Sequence, residues 1–182
     1  MDHKDKPVKQ SQRKQRFRRG VDLIPNLFTL AALFSGFYAM IMATKGQFIA
    51  SSVAILVAIV LDGLDGRVAR LMHSQSEFGA ELDSLSDMVS FGVAPSLVMY
   101  IWSLHELGHV GWCVAFIYAS CGALRLARFN TQSDTVSKRY FVGLQIPVPA
   151  GFIACVIWLC EEHHIAWPIM PYLLSVLAIV FA

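Results

Sequence analysis

A run of 22 residues without a charged side chain, Leu23–Thr44, is the feature that most restricts how this chain can fold. As an α-helix this run would extend about 33 Å, which is enough to cross the roughly 30 Å hydrocarbon layer of a membrane. Five more apolar segments follow it, at residues 47–61, 82–104, 107–124, 142–160 and 165–182. The pattern predicts an all-α integral membrane protein with six transmembrane helices.

The composition excludes a soluble domain of the same size. Of the 182 residues, 55% are hydrophobic and 15% are charged, whereas charged residues make up about a quarter of an average soluble domain. The four cysteines all lie in apolar stretches and have neither CxxC spacing nor a partnered histidine cluster. We therefore predict one membrane domain whose cysteines are small apolar residues, without a disulfide framework or a zinc site.

The positions of lysine and arginine predict the orientation in the membrane. If six helices alternate in direction, 14 of the 15 basic residues fall on one side and only Lys45 falls on the other. The loops on the other side carry glutamate and histidine, as at Glu106, Glu161 and His163. Because loops rich in lysine and arginine remain in the cytoplasm, both ends of the chain are predicted to face the cytoplasm.

Residues 1–22 are predicted to form a basic segment beside the membrane, and residues 23–182 to form the transmembrane domain. Eight lysines and arginines precede Leu23. Attraction to anionic lipid headgroups explains them better than nucleic-acid binding, because an apolar domain follows directly. The last segment ends at Ala182 without a polar flank, which is compatible with a natural chain that continues further.

Four aspartates stand where the second apolar segment ends and the third begins. Asp62 and Asp65 are three residues apart, and Asp83 and Asp87 are four apart, so each pair lies on one face of a helix. Two consecutive segments joined by a short turn should pack antiparallel, which lets the two acidic faces meet. Since ionisable residues within membrane helices are costly and mark function by default, the sequence predicts a functional site here.

The chemistry expected of such a site is cation binding. Four carboxylates close together in a poorly hydrated site repel one another, and oxygen ligands favour a hard divalent cation such as Mg²⁺ or Mn²⁺. Gly66 and Gly79 leave room beside the acids for a substrate, although glycine in a membrane helix also serves helix packing. Pairing with Arg67 and Arg70 is the alternative explanation for a single acid, but it does not account for four acids at these spacings.

The acidic segment resembles the signature of the CDP-alcohol phosphotransferase family. The match holds at every fixed position of the pattern, which reads Asp62-x-x-Asp65-Gly66-x-x-Ala69-Arg70, eight residues, then Gly79-x-x-x-Asp83-x-x-x-Asp87. The resemblance extends over about residues 19–149. Residues 25–29 open the first helix as in the family. Residues 86–95 and 125–130 are similar to the bacterial phosphatidylserine synthase branch. Ala32, Gln145 and Val148 depart from the expected pattern.

The resemblance implies a metal-dependent transferase of phospholipid biosynthesis. The expected reaction moves the phosphatidyl group of CDP-diacylglycerol to the hydroxyl of L-serine and releases CMP, without a covalent enzyme intermediate. The match assigns Asp62, Asp65, Asp83 and Asp87 as ligands of a divalent cation, with two ions expected. Asp87 is also the candidate catalytic base, because a serine hydroxyl must lose its proton as it attacks phosphorus.

The resemblance also implies where the CDP-linked lipid binds and where the protein resides. The residues expected around this lipid are Asn26, Thr29, Asp62, Gly66, Ala69, Arg70 and Gly79. Asn26 has an alternative role as a polar cap of the helix that begins near Pro25. A homodimer formed through the membrane helices is expected, in the bacterial inner (cytoplasmic) membrane, with the active site facing the cytoplasm.

Two arginines are candidates for binding the acceptor. Arg125 and Arg128 are three apart at the cytoplasmic end of the fourth segment, and a guanidinium can grip a carboxylate or a phosphate with two hydrogen bonds. Either residue is suited to the carboxylate of serine or to a lipid phosphate. Anchoring of the helix end at the cytoplasmic surface is the alternative.

Three other functions compete with serine transfer. The same chemistry with glycerol 3-phosphate or an inositol phosphate would call for a denser basic pocket. A small membrane transporter would place its acids near the bilayer midplane, on broken helices, whereas these acids are predicted at one membrane face. Nothing in the sequence favours an inactive lipid-binding scaffold, because all four acids are present.

Overall fold

The computed structural model describes residues 23–72, 77–132, 145–164 and 170–181, and no β-strand occurs among them. These ranges hold six helices: α1 (Leu23–Thr44), α2 (Phe48–Met72), α3 (Glu77–Trp102), α4 (His109–Gln132), α5 (Pro147–Glu162) and α6 (Met170–Phe181). The prediction of an all-α protein is confirmed. The basic segment predicted at residues 1–22 lies outside the described residues.

Four of these helices are long and apolar enough to cross a membrane by length and composition. Their candidate spans are Asn26–Thr44, Phe48–Val68, Glu77–Trp102 and His109–Thr131. The prediction of an integral membrane protein is therefore confirmed. The other two helices, α5 and α6, have 16 and 12 residues, fewer than the roughly 20 of a full span. That they too cross the membrane stays a prediction.

The turn between α1 and α2 follows from its glycine. Gly46 has a φ of 72°, a left-handed conformation that glycine adopts without a steric penalty. The amide of Gly46 donates to the carbonyl of Ala43 at 2.9 Å, and the amide of Gln47 donates to the carbonyl of Met42 at 2.9 Å. This is the hydrogen-bond pattern of a Schellman helix end. The tight turn makes α1 and α2 neighbours along their length.

Small residues let α1 and α2 approach closely. Ala39 and Ala58 are both fully buried in the core. Two serines then join the helices: Ser35 Oγ donates to the carbonyl of Ala54 at 2.7 Å, and Ser51 Oγ donates to the carbonyl of Ala39 at 2.8 Å. Small residues and serine-to-backbone hydrogen bonds are typical of membrane helix pairs, where hydrophobicity alone does not hold helices together.

Helix α3 is the central element and is not regular throughout. It is α-helical over Glu77–Asp87, π-helical over Met88–Val93, and α-helical again over Ala94–Trp102. Phe91, Val98 and Met99 from this helix are fully buried, and α3 contacts α1, α2, α4 and α5. The acidic half of α3 therefore extends from a firmly packed centre.

The ends of α3 and α5 opposite the aspartates are tied by a polar contact. Trp102 Nε1 donates to Glu161 Oε1 at 2.6 Å. A short 3₁₀ turn, Leu104–Leu107, then leads into α4. Gly108 precedes α4 with a φ of 57°, a left-handed value that favours glycine.

Candidate active site

Three of the four predicted aspartates meet where α2 and α3 face each other. Asp62 on α2 and Asp83 and Asp87 on α3 each place one carboxylate oxygen within 4.8 Å of the others. All three side chains are half-buried. Two consecutive helices therefore supply the three carboxylates.

This group has the properties of a cation site. Three carboxylates at such distances repel one another strongly where water is scarce. The Oδ1 atom of Asp83 is buried and has no hydrogen-bond partner within the described part of the chain, which is costly for a polar atom. A bound cation would satisfy this oxygen and offset the repulsion. Because the ligand atoms are all carboxylate oxygens, the group fits a hard divalent ion.

Asp65 lies beside this group but has a different environment. It is only 5% exposed, and its Oδ2 accepts a hydrogen bond from Thr29 Oγ1 at 2.8 Å. The backbone carbonyl of Thr29 in turn accepts from Ser86 Oγ at 3.1 Å. Thr29, which belongs to α1, therefore contacts both other helices of the site. Its hydroxyl binds Asp65 on α2, and its backbone carbonyl binds Ser86 on α3.

The other residues predicted around the CDP-linked lipid lie on α1, α2 and α3. Gly66 is exposed, and a Cβ atom added to it would meet no other atom within 4 Å. Gly79 near the start of α3 and Asn26 in the first turns of α1 are half-buried. The remaining two, Ala69 and Arg70, lie in α2, but their side chains are outside the described residues.

The two candidate arginines differ in burial. Arg125 is half-buried and lines a small cavity of about 10 Å³ together with Tyr118 and Pro149. Arg128 is exposed. The sequence treats the two arginines as equivalent, but in the structure one is half-buried and the other is exposed.

Two contacts at this end of the molecule were not predicted from the sequence. Asn130 Nδ2 donates to Ser84 Oγ at 3.0 Å, which joins the end of α4 to α3 next to Asp83. Ser86 contacts Thr29, as described above. The only sequence feature that points to them is the pair of small hydroxyl residues between Asp83 and Asp87, since serine is frequent at helix contacts in membranes.

Fold and site together define an all-helical membrane protein in which three carboxylates from two helices form a cluster suited to a divalent cation. Residues 22–182 match the family described as CDP-alcohol phosphatidyltransferase, and the chain belongs to that family. The resemblance drawn from the acidic motif is thereby confirmed.

Individual relatives are named CDP-diacylglycerol–serine O-phosphatidyltransferase. The chain is 41% identical to the protein of Helicobacter pylori strain J99 over 142 residues, which are 78% of this chain and 60% of that protein. It is 43% identical to the protein of Mycobacterium tuberculosis strain H37Rv over 150 residues, covering 79% of this chain and 51% of that one. The protein of Bacillus subtilis is 34% identical over 127 residues, 70% of this chain and 71% of that protein.

The chain matches only part of the longer relatives. It spans 60% of the Helicobacter protein and 51% of the Mycobacterium protein. The family match, which covers residues 22–182, includes the four aspartates.

Proposed function

We propose that this chain catalyses transfer of the phosphatidyl group from CDP-diacylglycerol to the hydroxyl of L-serine, with release of CMP. The observation that carries the proposal is that oxygens of Asp62, Asp83 and Asp87 lie within 4.8 Å of one another, in a chain that matches the CDP-alcohol phosphatidyltransferase family over residues 22–182. Serine is the proposed acceptor because relatives from distant bacteria, and one from the archaeon Methanocaldococcus jannaschii, share a name that includes it.

We also propose that the reaction requires two divalent cations, either Mg²⁺ or Mn²⁺. Asp62, Asp83 and Asp87 would hold the ions. Asp65 would be a further ligand, through its Oδ1 or through Oδ2 after a rotation of the side chain. When bound, such ions neutralise pyrophosphate charge and stabilise the attacking and leaving oxygens of an in-line displacement. The buried Asp83 Oδ1 without a described partner supports this assignment.

Asp87 is the residue proposed to move the proton. The serine hydroxyl oxygen forms a bond to the phosphorus that carries the diacylglycerol, and the bond from that phosphorus to the bridging oxygen of CMP breaks. The hydroxyl proton passes to the Asp87 carboxylate, and CMP departs with the bridging oxygen. A positioned base of this kind contributes roughly 10²–10⁴-fold to a rate.

The proposed pocket for the CDP-linked lipid lies around the open face of α2. It comprises Asn26, Thr29, Asp62, Gly66, Ala69, Arg70 and Gly79. The empty space above Gly66 supports this placement, because a nucleotide can approach the backbone closely only where no side chain intervenes. Thr29 would act mainly by holding Asp65, since its hydroxyl already donates to that carboxylate.

Arg125 is the better candidate for the serine carboxylate. Its half-buried position favours a strong paired hydrogen bond over the weak attraction available at a surface. Exposed Arg128 is better suited to a lipid phosphate or to anchoring the helix end.

The proposal extends to location and assembly. Residues 23–182 would form the catalytic membrane domain, behind a basic juxtamembrane segment at 1–22, in the inner membrane of a bacterium. The Asn130–Ser84 contact supports a common face for the end of α4 and the acids. The concentration of arginine there favours the cytoplasm. A homodimer in the membrane is proposed from the family alone.

The decisive experiment measures CMP release from CDP-diacylglycerol by purified protein, with and without divalent cation, across a panel of acceptors. Labelled serine should enter the lipid fraction only when the cation is present. Incorporation from glycerol 3-phosphate or an inositol phosphate, but not from serine, would replace the acceptor and keep the reaction type. No CMP release with any acceptor would refute the proposed function.

A further inference from the structure

The helix that carries Asp83 and Asp87 changes its hydrogen-bond pattern directly after Asp87. The π-helical turn covers Met88–Val93, and the amide of Ala94 donates to the carbonyl of Val89, five residues earlier. Such turns are rare and occur frequently at functional sites, because they rotate the residues before them relative to those after them. The turn therefore sets the direction in which Asp87 projects.

Pro95 explains why an ordinary α-helix is disfavoured here. In an α-helix the carbonyl of Phe91 would accept from the amide of residue 95, which proline lacks, and the proline ring would press against that same carbonyl. Phe91 is fully buried, so water does not readily replace the missing donor. A buried carbonyl in this position needs another partner.

That partner is Tyr118 on α4. Its Oη donates to the carbonyl of Phe91 at 3.3 Å, and Tyr118 itself is only 5% exposed. The helices can approach because glycines face each other: a Cβ atom added to Gly122 would lie 3.8 Å from Gly92 Cα. The phenol thus reaches a backbone group that a more crowded interface would shield.

The opposite side of the π turn is held by α1. Ser90 Oγ donates to the carbonyl of Ala32 at 3.2 Å. A Cβ atom at Gly36 would lie 2.7 Å from Ser90 Cα, so glycine is required for this approach. With Ser90 bound on one side and Phe91 on the other, the turn has little freedom to rotate.

We propose that Tyr118 is a positioning residue. Its phenol donates to the Phe91 carbonyl, which cannot accept from residue 95 because proline has no amide hydrogen. This bond stabilises the π turn and so holds Asp87 in its position. The catalytic part of this inference rests on the proposed function, in which Asp87 accepts the serine proton. The structural part rests only on the contacts of α3 with α4 and with α1.

The test is a double-mutant cycle with Tyr118→Phe and Pro95→Ala. Tyr118→Phe removes only the hydroxyl and should lower kcat about tenfold while KM for serine and for the CDP-linked lipid stays within about twofold, because the base is misplaced and the binding groups are not. Amide hydrogen exchange within residues 88–94 of the cation-free protein should also accelerate. Pro95→Ala supplies an amide that can donate to the Phe91 carbonyl as in a regular α-helix. Adding it to Tyr118→Phe should therefore restore slow exchange but not kcat, because an α-helical turn would rotate Asp87 away from its position in the π-helical chain.

Tyr172→Phe is the matched control, since Tyr172 is exposed on α6, and it should leave both measurements unchanged. Wild-type kinetics and exchange in Tyr118→Phe would overturn the inference, as would accelerated exchange that Pro95→Ala does not reduce. If Tyr118→Phe fails to accumulate as folded protein, recovery of folded protein in the double variant supports the inference and its absence overturns it. A wild-type protein without transferase activity would refute the proposed function, while the exchange data would still decide the role of Tyr118.

Discussion

Thr29 Oγ1 donates a hydrogen bond to Asp65 Oδ2 at 2.8 Å, although the two residues are 36 positions apart on different helices. Asp65 is almost fully buried, so this hydroxyl fixes the orientation of its carboxylate. Without that bond, the carboxylate could turn towards water, a cation or the neighbouring acids. The acidic group is thus organised in part from α1, a helix that contributes none of its carboxylates.

Replacing Thr29 tests that organisation. Thr29→Val keeps the shape but removes the donor, and the loss of a buried hydrogen bond should lower stability by about 1–3 kcal/mol. Activity should fall as well, because Asp65 is no longer oriented. Thermal melting in detergent and CMP release measure the two effects. Thr29→Ser retains the hydroxyl and serves as the control; equal behaviour of the two variants would show that the bond is unimportant.

Asp87→Asn should abolish turnover without unfolding the protein. Loss of a general base lowers a rate by roughly 10²–10⁴-fold, whereas removing one charge from a group of repelling carboxylates should leave melting unchanged or raise it in the absence of cation. Glu81→Gln, an exposed acid on the same helix, is the control and should stay active. Substantial CMP release by Asp87→Asn would remove this residue from its proposed role.

Divalent cations should stabilise the protein against heat. An ion that binds only the folded state adds about 2.7 kcal/mol at one hundred times its dissociation constant, so melting should shift upward with Mg²⁺ or Mn²⁺ and return when a chelator is added. The shift should be much smaller in Asp83→Asn, which removes a charge from the Asp62, Asp83 and Asp87 group. The same shift in the wild type and in Asp83→Asn would place the ion elsewhere.

Gly66→Ala should weaken binding of the CDP-linked lipid while leaving the fold intact. A Cβ atom there meets no protein atom within 4 Å, so any effect must come from the space that the nucleotide is proposed to use. Gly63→Ala is a close control, because Gly63 is on the same helix and equally open. A raised KM for CDP-diacylglycerol in Gly66→Ala alone is expected; identical KM values in both variants would contradict the placement of the pocket.

Gly36→Ala should destabilise the protein at the contact of α1 with α3. The added methyl group would lie 2.6 Å from Ser90 Oγ and 2.7 Å from Ser90 Cα, and overpacking of this kind costs about 1–3 kcal/mol. The melting temperature should fall, with Gly63→Ala again as a control for helix propensity. An unchanged melting temperature would contradict this prediction, because it would mean that α1 and α3 can move apart to admit the methyl group at little cost in stability.

Much of this protein could be predicted from its sequence because the deciding patterns are local. Charge-free runs determine where membrane helices form, since a backbone in lipid must satisfy its own hydrogen bonds. The spacing of Asp62 with Asp65 and of Asp83 with Asp87 determines that each pair shares a helix face. The acidic motif, read along a single stretch of chain, also pointed to the family that the comparisons then identified.

What the sequence left open depends on contacts between helices that are distant along the chain. Sequence spacing treats the four aspartates alike, yet Asp65 is hydrogen-bonded to Thr29 while the other three acids meet one another. Sequence spacing likewise treats Arg125 and Arg128 as equivalent, and packing half-buries Arg125 but leaves Arg128 exposed. Helix periodicity determines which residues share a face, but only the close approach of particular small residues determines what that face meets. For this reason, the bond from Tyr118 to the Phe91 carbonyl became visible only in the tertiary structure.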